Sequence, residues 1–386
     1  MSVFLRTVAY SQGSVCKMSS VLTDKKVIVA MSGGVDSSVA ALLLKESGYD
    51  VVGVTLKMWV DPSFEEEASL AGKGCCSYEA VQDAKKVASS LDIPHYVLNM
   101  KDLFYKDIVC NFTSEYLQGR TPNPCVECNR TIKFSSLLQK ARGLGIIFLA
   151  TGHYARIKHD PVNNYYKLLR GLDRQKDQSY MLYVLTQKEL AAILFPLGSK
   201  TKHEIRALAK KTNLEVANKE ESQEICFIPD NDYRSFMERM CPEAVRPGEI
   251  VTATGEKLGR HQGIAFYTVG QRKGLGITYS EPLYVVSIDA SQNQVIVGPE
   301  SEVFSSGLTV DNLNYIAGIE PDKVMEIEVK IRYRAPAVQA TLHPPEKGIA
   351  RVIFKEKQKA ITPGQSAVFY IGEEVLGGGI IKKPLA

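Results

Sequence analysis

Apolar and polar positions alternate in a regular way between Lys25 and about Gly152. Short apolar runs are typical of buried strands, and segments with apolar residues every three or four positions are typical of helices. The predicted elements are strands at 26–31, 49–56, 95–99 and 146–151 and helices at 37–46, 78–91, 111–118 and 134–142. Strands separated by helical crossovers pair in parallel. We therefore predict an α/β fold with a doubly wound parallel sheet.

The pattern changes after about Tyr233. Glycines and prolines interrupt residues 234–300, and short β-type runs dominate from residue 301 onwards. Such runs are typical of a small barrel or sandwich. The predicted organisation is an N-terminal extension (1–24), an α/β domain (25–233), a small central domain (234–300) and a C-terminal β-barrel (301–386).

Composition narrows the class of protein. The chain has 386 residues, 45% of them apolar, and a net charge of +4, which is too small to establish a polyanionic partner. Eight cysteines, several adjacent or in Cys-x-x-Cys spacing, fit a reducing compartment better than a disulfide framework. No apolar run approaches the roughly 20 residues of a membrane helix. We expect a cytoplasmic protein without a membrane partner, or a mitochondrial matrix protein if the acid-free first 23 residues are a transit peptide.

The first predicted strand runs into Ser32-Gly33-Gly34 and restarts as an apolar helix after Asp36. A glycine-rich turn at a helix start aims backbone N–H groups and the positive end of the helix dipole at one point, which suits a phosphate. The lysine of a Walker A loop is missing. The arrangement Ser-Gly-Gly-Val-Asp-Ser-Ser resembles the pyrophosphate-binding (PP) loop of ATP pyrophosphatases, which implies ATP, with Mg²⁺ on its phosphates. A tight turn without a ligand is the alternative.

A second strand end has the same character. The apolar run at 148–151 ends at Gly152 and His153. Ligands of doubly wound sheets bind outside the carboxyl ends of the strands. Gly152 and His153 are therefore predicted to face the same crevice as the glycine-rich loop.

Three cysteines stand out as chemical groups. Cys125 and Cys128 lie between two prolines and a predicted helix, where the helix dipole, Arg130 and Lys133 favour a thiolate. Cys226 follows in a short apolar stretch. Buried structural thiols, ligands of zinc or of an iron–sulfur cluster, or a nucleophile with a sulfur carrier are the three interpretations.

Motifs in one order along nearly the whole chain resemble the tRNA-specific 2-thiouridylase (tRNA-uridine 2-sulfurtransferase) family. They lie at residues 30–37, 119–124 with 128–129, 150–155, 169–173, 176–180, 222–229, 270–276 and 362–365. The resemblance implies that the C2 oxygen of the wobble uridine of a tRNA is adenylated. A persulfide on Cys226 then delivers sulfur to C2, and Cys128 helps to release it, which leaves a disulfide between the two. The persulfide sulfur would come from a cysteine desulfurase or a relay protein.

The resemblance also implies two sets of binding residues. Those matching the ATP site are Ala30, Met31, Ser32, Gly33, Gly34, Val35, Asp36, Ser37, Leu56 and Gly152. Those matching the tRNA-contacting positions are Asn123, Pro124, Cys125, His153, Lys176, Asp177, Gln178, Arg332, Tyr333 and Gln365. The target base must leave its stack to react, so several of these are expected to line its pocket.

One position departs from the family pattern. Cys125 stands where family members often have an aspartate, so a carboxylate that would serve acid–base or positioning work is replaced by a thiol. Cys125, Cys128 and Cys226 could instead hold a [4Fe–4S] cluster, with Cys75 and Cys76 as either further ligands or bystanders. We place the persulfide route first. A non-catalytic RNA-binding protein is the more distant alternative, and an amidating synthetase would not need the three thiols.

Overall fold

The computed structural model describes residues 25–61, 78–220, 225–228 and 230–385. The N-terminal extension, Cys75, Cys76 and part of the motif at 222–229 lie outside the described residues. Within the described residues, no helix is long and apolar enough to span a bilayer.

The first region alternates strands and helices, as predicted. Its strands are β1 (Lys26–Ala30), β2 (Asp50–Lys57), β3 (His95–Asn99), β4 (Phe148–Ala150), β5 (Ala155–Asp160), β6 (Tyr165–Arg170) and β7 (Ile193–Leu194). Its helices are α1 (Val35–Glu46), α2 (Tyr78–Ser90), α3 (101–117), α4 (124–143), α5 (Gln187–Leu190) and α6 (Lys202–Lys211). Short 3₁₀ turns lie at Ser179–Leu182 and Glu215–Asn218.

Five of these strands form a parallel sheet in the order β3-β2-β1-β4-β7. Val27 and Val29 of β1 are fully buried, as expected for a central strand covered by helices on both faces. Although β1 and β4 are far apart in sequence, they pair directly, with Val27 opposite Phe148. The order reverses at this pair, so the crevice of a doubly wound sheet opens at the ends of β1 and β4. The predicted α/β fold class is confirmed.

The helix that carries Cys125 and Cys128 begins earlier than predicted. We expected a turn at 121–129 and a helix from 134, but the chain is helical from Pro124 to Gly143, with a π-helical stretch over Asn129–Ser136. Pro124 occupies the first helical position, where a missing N–H costs nothing. Asn123 caps the helix, because its side-chain oxygen accepts a hydrogen bond from Val126 N at 3.3 Å.

The central region is a small β-domain. It contains helix α7 (Tyr233–Met240) and the strands β8 (Gly248–Thr252), β9 (Lys257–His261), β10 (Tyr284–Asp289) and β11 (Gln294–Gly298). These strands form a sheet in the order β10-β11-β8-β9. Phe236 of α7 packs edge-on against Phe112 of α3, with ring centroids 6.0 Å apart, so the central region shares an apolar core with the α/β region.

The C-terminal region is a closed barrel, as predicted. Its strands are β12 (Phe304–Tyr315), β13 (Met325–Lys330), β14 (Val338–Glu346), β15 (Ile349–Lys359), β16 (Ser366–Ile371) and β17 (Glu374–Leu385). They follow the order β12-β15-β14-β13-β16-β17, and β12 pairs with β17 to close the circle. Closure leaves no open edge within the barrel itself.

The β5–β6 hairpin was not predicted from the sequence. It pairs with the barrel rather than with the parallel sheet, since Leu169 of β6 lies opposite Glu374 of β17. The ion pair of Arg170 with Glu328 at 2.7 Å adds a second tie between this hairpin and the barrel. A segment that precedes the barrel by more than a hundred residues therefore fastens the barrel to the α/β region.

A loop of the barrel also forms hydrogen bonds with the segment that precedes α4. Thr121 N donates to Pro363 O at 2.8 Å, and the side-chain nitrogen of Gln365 donates to Thr121 O at 2.9 Å and to Pro122 O at 3.2 Å. Gly364 lies between them with φ +93°, and a Cβ there would come within 2.8 Å of Thr121 N. Only glycine fits this contact without displacing one of the two loops.

We expect Gly364→Ala to lower the free energy of unfolding by about 2 kcal/mol or more, because it adds a backbone clash to the strain of a positive φ. Gly372→Ala is the matched control, since Gly372 also has a positive φ of +56° but has nothing within 4 Å of its Cβ position. Urea denaturation of both variants measures the difference. Equal losses would show that the contact between the two loops does not matter for stability.

Candidate active site

The glycine-rich loop joins β1 to α1 as the sequence predicted. Gly33 has φ +69°, and a side chain there would overlap the backbone oxygen of Ala80 at the start of α2. Gly34 is the N-cap of α1 and offers no side-chain cap. The first N–H groups of a helix have no partner within the helix, so an uncapped start is a ready site for an anion.

Two serine side chains form hydrogen bonds within the glycine-rich loop. Ser37 Oγ accepts a hydrogen bond from Ser32 N at 3.1 Å and donates to Gly34 O at 3.2 Å. Ser38 Oγ also donates to Gly34 O, at 2.9 Å. These hydrogen bonds stabilise the turn that the loop makes.

The end of β4 touches the same loop. A Cβ on Gly152 would lie 2.8 Å from both Asp36 C and Ser37 N, so the two strand ends meet across the crevice. The side chain of Thr55 donates to Met31 O at 2.8 Å, which ties the end of β1 to β2, the strand that carries Leu56. The residues predicted for ATP therefore lie around one point of the sheet.

Sequence reasoning missed two residues at this point. Lys202 Nζ lies 2.7 Å from Asp36 Oδ1 and 2.8 Å from Asp36 Oδ2, and Tyr154 OH donates to Asp36 Oδ1 at 2.8 Å. In the sequence, Lys202 stands among other basic residues, a pattern typical of a solvated helix face. In fact it is only 9% exposed. The signal that could have revealed it is its position directly after the N-cap Thr201, where a positive charge faces the positive end of the helix dipole.

His153 lies beside Gly152 at the end of β4. Its Nδ1 is 2.7 Å from Thr151 Oγ1, and its ring packs against Phe134 and Phe195 at 5.7 and 5.9 Å. Desolvation, aided by the charge of Lys133, holds the pKa of His153 well below its ordinary value. The imidazole is therefore neutral near pH 7.

The thiols lie in two segments that share one apolar core. Cys128 is 7% exposed, and Cys125, three residues earlier on the same face of α4, is exposed. Cys226 is half-buried and packs against the core that contains Cys128. Its neighbour Phe227 anchors the segment between Phe104 and Phe112, with ring centroids at 5.7 and 5.3 Å. Cys125, Cys128 and Cys226 are all present as thiols.

The hypothesis of a [4Fe–4S] cluster is not supported. In the part of the chain that the structure describes, no group of three or more His, Cys, Asp or Glu side chains is arranged to hold a metal ion. Cys125, Cys128 and Cys226 are thus not brought together as a ligand set. Cys75 and Cys76 lie outside the described residues.

A chain of hydrogen bonds links the glycine-rich loop to the Cys128 helix. It starts at Tyr154, whose hydroxyl donates to Asp36 and whose N–H donates to Gln178 Oε1 at 2.9 Å. Met181 N donates to Gln178 O at 2.9 Å, and Asn129 Nδ2 donates to Met181 O at 3.0 Å. Asn129 is 1% exposed and directly follows Cys128. The two halves of the site are therefore in fixed positions relative to each other.

Six of the ten predicted tRNA-contacting residues fall into two groups. Asp177 is only 7% exposed, and its carboxylate accepts hydrogen bonds from Gly171 N, Ser179 N and Ser179 Oγ at 2.9 to 3.0 Å. Its side chain therefore stabilises the loop at 171–179, and the side-chain oxygen of Gln178 accepts a hydrogen bond from Tyr154 N. Contact of Asp177 and Gln178 with tRNA stays a prediction. Lys176 shares this loop with them and is half-buried.

The second group lies where the barrel meets the other two regions. Arg332 Nη2 donates to Ala360 O, and Tyr333 packs near Tyr180 at 6.1 Å. A cavity of about 440 Å³ opens here, lined by Thr121, Thr268, Val269, Gly270, Arg332, Lys359, Ala360, Thr362 and Gln365. Residues of all three regions thus converge, and contact of Arg332, Tyr333 and Gln365 with tRNA stays a prediction.

We expect the stability of the protein to fall as the pH drops below about 6.5, the ordinary pKa of histidine. Below this pH, His153 binds a proton in the unfolded chain but stays neutral in the folded protein, whose lowered pKa disfavours protonation. His153 alone contributes a slope of at most about 1.4 kcal/mol per pH unit. His153→Asn should make the slope between pH 7.5 and 5.5 shallower, as measured by urea denaturation. Identical slopes would contradict the lowered pKa of His153.

Comparison with known proteins agrees with this geometry. The chain matches the models described as tRNA methyl transferase HUP domain at residues 25–230, tRNA methyl transferase PRC-barrel domain at 234–299 and aminomethyltransferase beta-barrel domain at 305–381. It is 51% identical over 361 residues to the tRNA-specific 2-thiouridylase MnmA of Acetivibrio thermocellus, covering 94% of this chain and 100% of that protein. It is 52% identical over 368 residues to the protein of the same name from Carboxydothermus hydrogenoformans, covering 95% of this chain and 100% of that one. This chain therefore belongs to the tRNA-specific 2-thiouridylase family.

Proposed function

We propose that this protein catalyses the ATP-dependent 2-thiolation of the wobble uridine of tRNA. The observation that carries the proposal is the hydrogen-bonded connection between an uncapped phosphate-type loop and the helix that bears Cys128. This connection joins the place proposed for ATP to the helix that bears a thiol. Full-length similarity to proteins named tRNA-specific 2-thiouridylase supports the same reaction.

The ATP half of the reaction activates an oxygen that leaves poorly. The uridine C2 oxygen attacks the α-phosphorus of ATP, pyrophosphate departs, and the oxygen becomes part of a good leaving group, AMP. The start of α1, with the N–H groups after Gly34, stabilises the phosphate charge that moves in this step. Mg²⁺ bound to the ATP phosphates supplies further charge neutralisation.

The sulfur half of the reaction uses two thiols with different surroundings. Cys226 is half-buried on a short turn, so it can be loaded with sulfur by a cysteine desulfurase or a relay protein. The terminal sulfur of its persulfide attacks C2, and AMP leaves. Cys128 then attacks the Cys226 sulfur, which breaks the S–S bond, frees the 2-thiouridine and leaves a Cys128–Cys226 disulfide for a cellular thiol to reduce.

The protein also has to hold the base outside its stack. Asn123 and Pro124 form the capped start of α4. Asn129 of the same helix donates a hydrogen bond to the backbone oxygen of Met181, which follows the loop that contains Lys176. Contacts of the flipped uridine with these residues and with His153 are part of the proposal. A neutral His153 can accept or donate a hydrogen bond without adding charge.

We expect Cys226→Ser and Cys128→Ser to reduce tRNA thiolation by at least about a thousandfold, because neither a persulfide nor the disulfide-forming release is possible with a hydroxyl. Cys110→Ser, at an exposed cysteine on α3, is the matched control and should keep its activity. Mass spectrometry of the wobble nucleoside measures thiolation, and calorimetry checks that ATP and tRNA still bind. A Cys226→Ser enzyme that thiolates tRNA would refute the carrier role.

Cys125→Asp separates the persulfide route from a cluster route. The Cys125 side chain is exposed at the second position of α4, where a carboxylate is favoured by the helix dipole. Under the persulfide route we expect thiolation to stay within about threefold of the parent protein, since the change restores the residue that family members often carry. Loss of activity together with loss of bound iron would favour the cluster instead.

A further inference from the structure

A buried lysine stands at a position where helices disfavour it. Lys202 is the first residue of α6, immediately after the N-cap Thr201, and is only 9% exposed. A positive charge in the first turn opposes the helix dipole, and burying a lysine costs further free energy. A residue that breaks two local rules at once usually serves a site.

The contacts of Lys202 aim its charge at the glycine-rich loop. Its Nζ binds both carboxylate oxygens of Asp36 at 2.7 and 2.8 Å and lies 5.9 Å from the centre of the Tyr154 ring. Its backbone N–H donates to Asp173 Oδ2 at 2.9 Å, which fixes the start of α6. Asp36 is the second residue of α1, so the ammonium group lies beside the uncapped helix start that suits a phosphate.

The loop itself lacks such a charge. Residues 31–38 contain no Lys, Arg or His, whereas a Walker A loop carries a lysine for the β and γ phosphates. Asp36 makes a nearby positive charge more important. Its carboxylate lies in the first turn of α1 and repels a polyphosphate unless a cation neutralises the carboxylate. Within residues 31–38, only uncharged groups, the backbone N–H groups and serine hydroxyls, are present to offset that repulsion.

We propose that Lys202 is the cation that receives the ATP phosphates in this site, and that Asp36 holds it beside the loop until the nucleotide arrives. The inference rests on the proposed function, because it takes ATP as the ligand of the loop. It adds a residue from a helix about 165 positions downstream of the loop. Lys202 thereby takes the place of the lysine that the motif lacks.

The competing explanation is that the Lys202–Asp36 ion pair is purely structural. The two explanations predict opposite changes in ATP affinity when Asp36 is replaced. If the pair only stabilises the fold, removing either partner should weaken ATP binding in the same way. If Lys202 serves the phosphates, Lys202→Gln removes the attraction, whereas Asp36→Asn removes a repulsion and leaves the ammonium group to the phosphates.

Calorimetric titration of the full chain with ATP and with adenosine, in buffer containing EDTA, tests this difference. We expect Lys202→Gln to weaken ATP binding about tenfold or more and Asp36→Asn not to weaken it. Adenosine affinity should stay unchanged in both variants, since adenosine has no phosphates. Lys210→Gln, at an exposed lysine of the same helix, is the matched control and should bind ATP like the parent protein.

The double variant Lys202→Gln with Asp36→Asn controls for misfolding, because it removes both charges of the Lys202–Asp36 ion pair. We expect its melting temperature to return towards that of the parent while its ATP affinity stays low. Recovery of the parent ATP affinity, or equal weakening in both single variants, would overturn the inference. Failure of the parent protein itself to bind ATP would instead refute the proposed function.

Discussion

The contact between the end of β4 and the first turn of α1 is the constraint on which the rest of the site depends. Gly152 approaches the backbone of Asp36 and Ser37 so closely that a Cβ would lie 2.8 Å away. Because the chain continues from Gly152 to Tyr154, this contact brings the Tyr154 hydroxyl to Asp36 and its N–H to Gln178. The position of the ATP loop therefore constrains the segment 178–181, to which Asn129, the residue after Cys128, donates a hydrogen bond.

The barrel contributes to the site by fixing the chain that leads into α4. The loop at 362–365 and the segment at 121–122 share three hydrogen bonds, and the β5–β6 hairpin extends the barrel sheet through Leu169. The orientation of the Cys128 helix thus depends on two regions that are distant in sequence. A barrel without a catalytic motif therefore has a structural reason to be part of the enzyme.

Much of the fold could be predicted because the relevant signals are local. The strand at 95–99 and the helix at 78–90 follow apolar periodicity almost to the residue, and the parallel order follows from helical crossovers. The β5–β6 hairpin escaped prediction because its strands are mostly half-buried and carry a weak apolar signal. Its contact with β17 joins residues more than two hundred positions apart. Long-range pairing of this kind leaves no local pattern.

The site also combines residues that local sequence signals predict with residues that only long-range contacts reveal. The glycine-rich loop and Gly152 could be placed from strand ends and turn chemistry alone. Lys202 could not, because a lysine among other basic residues looks like a solvated face until the fold brings its Nζ to Asp36. The hydrogen bonds of the buried Asp177 carboxylate could not be predicted either, since they come from backbone groups that the sequence does not reveal.

The central claim is that this chain thiolates tRNA with ATP and its own thiols. The most direct measurement is mass spectrometry of the wobble nucleoside after incubation of unmodified tRNA with ATP, a cysteine desulfurase with cysteine as the persulfide donor, and protein of known iron content. We predict that iron-free protein forms 2-thiouridine, with one AMP released for each sulfur transferred. Absence of 2-thiouridine, or formation only in proportion to bound iron, would contradict this account.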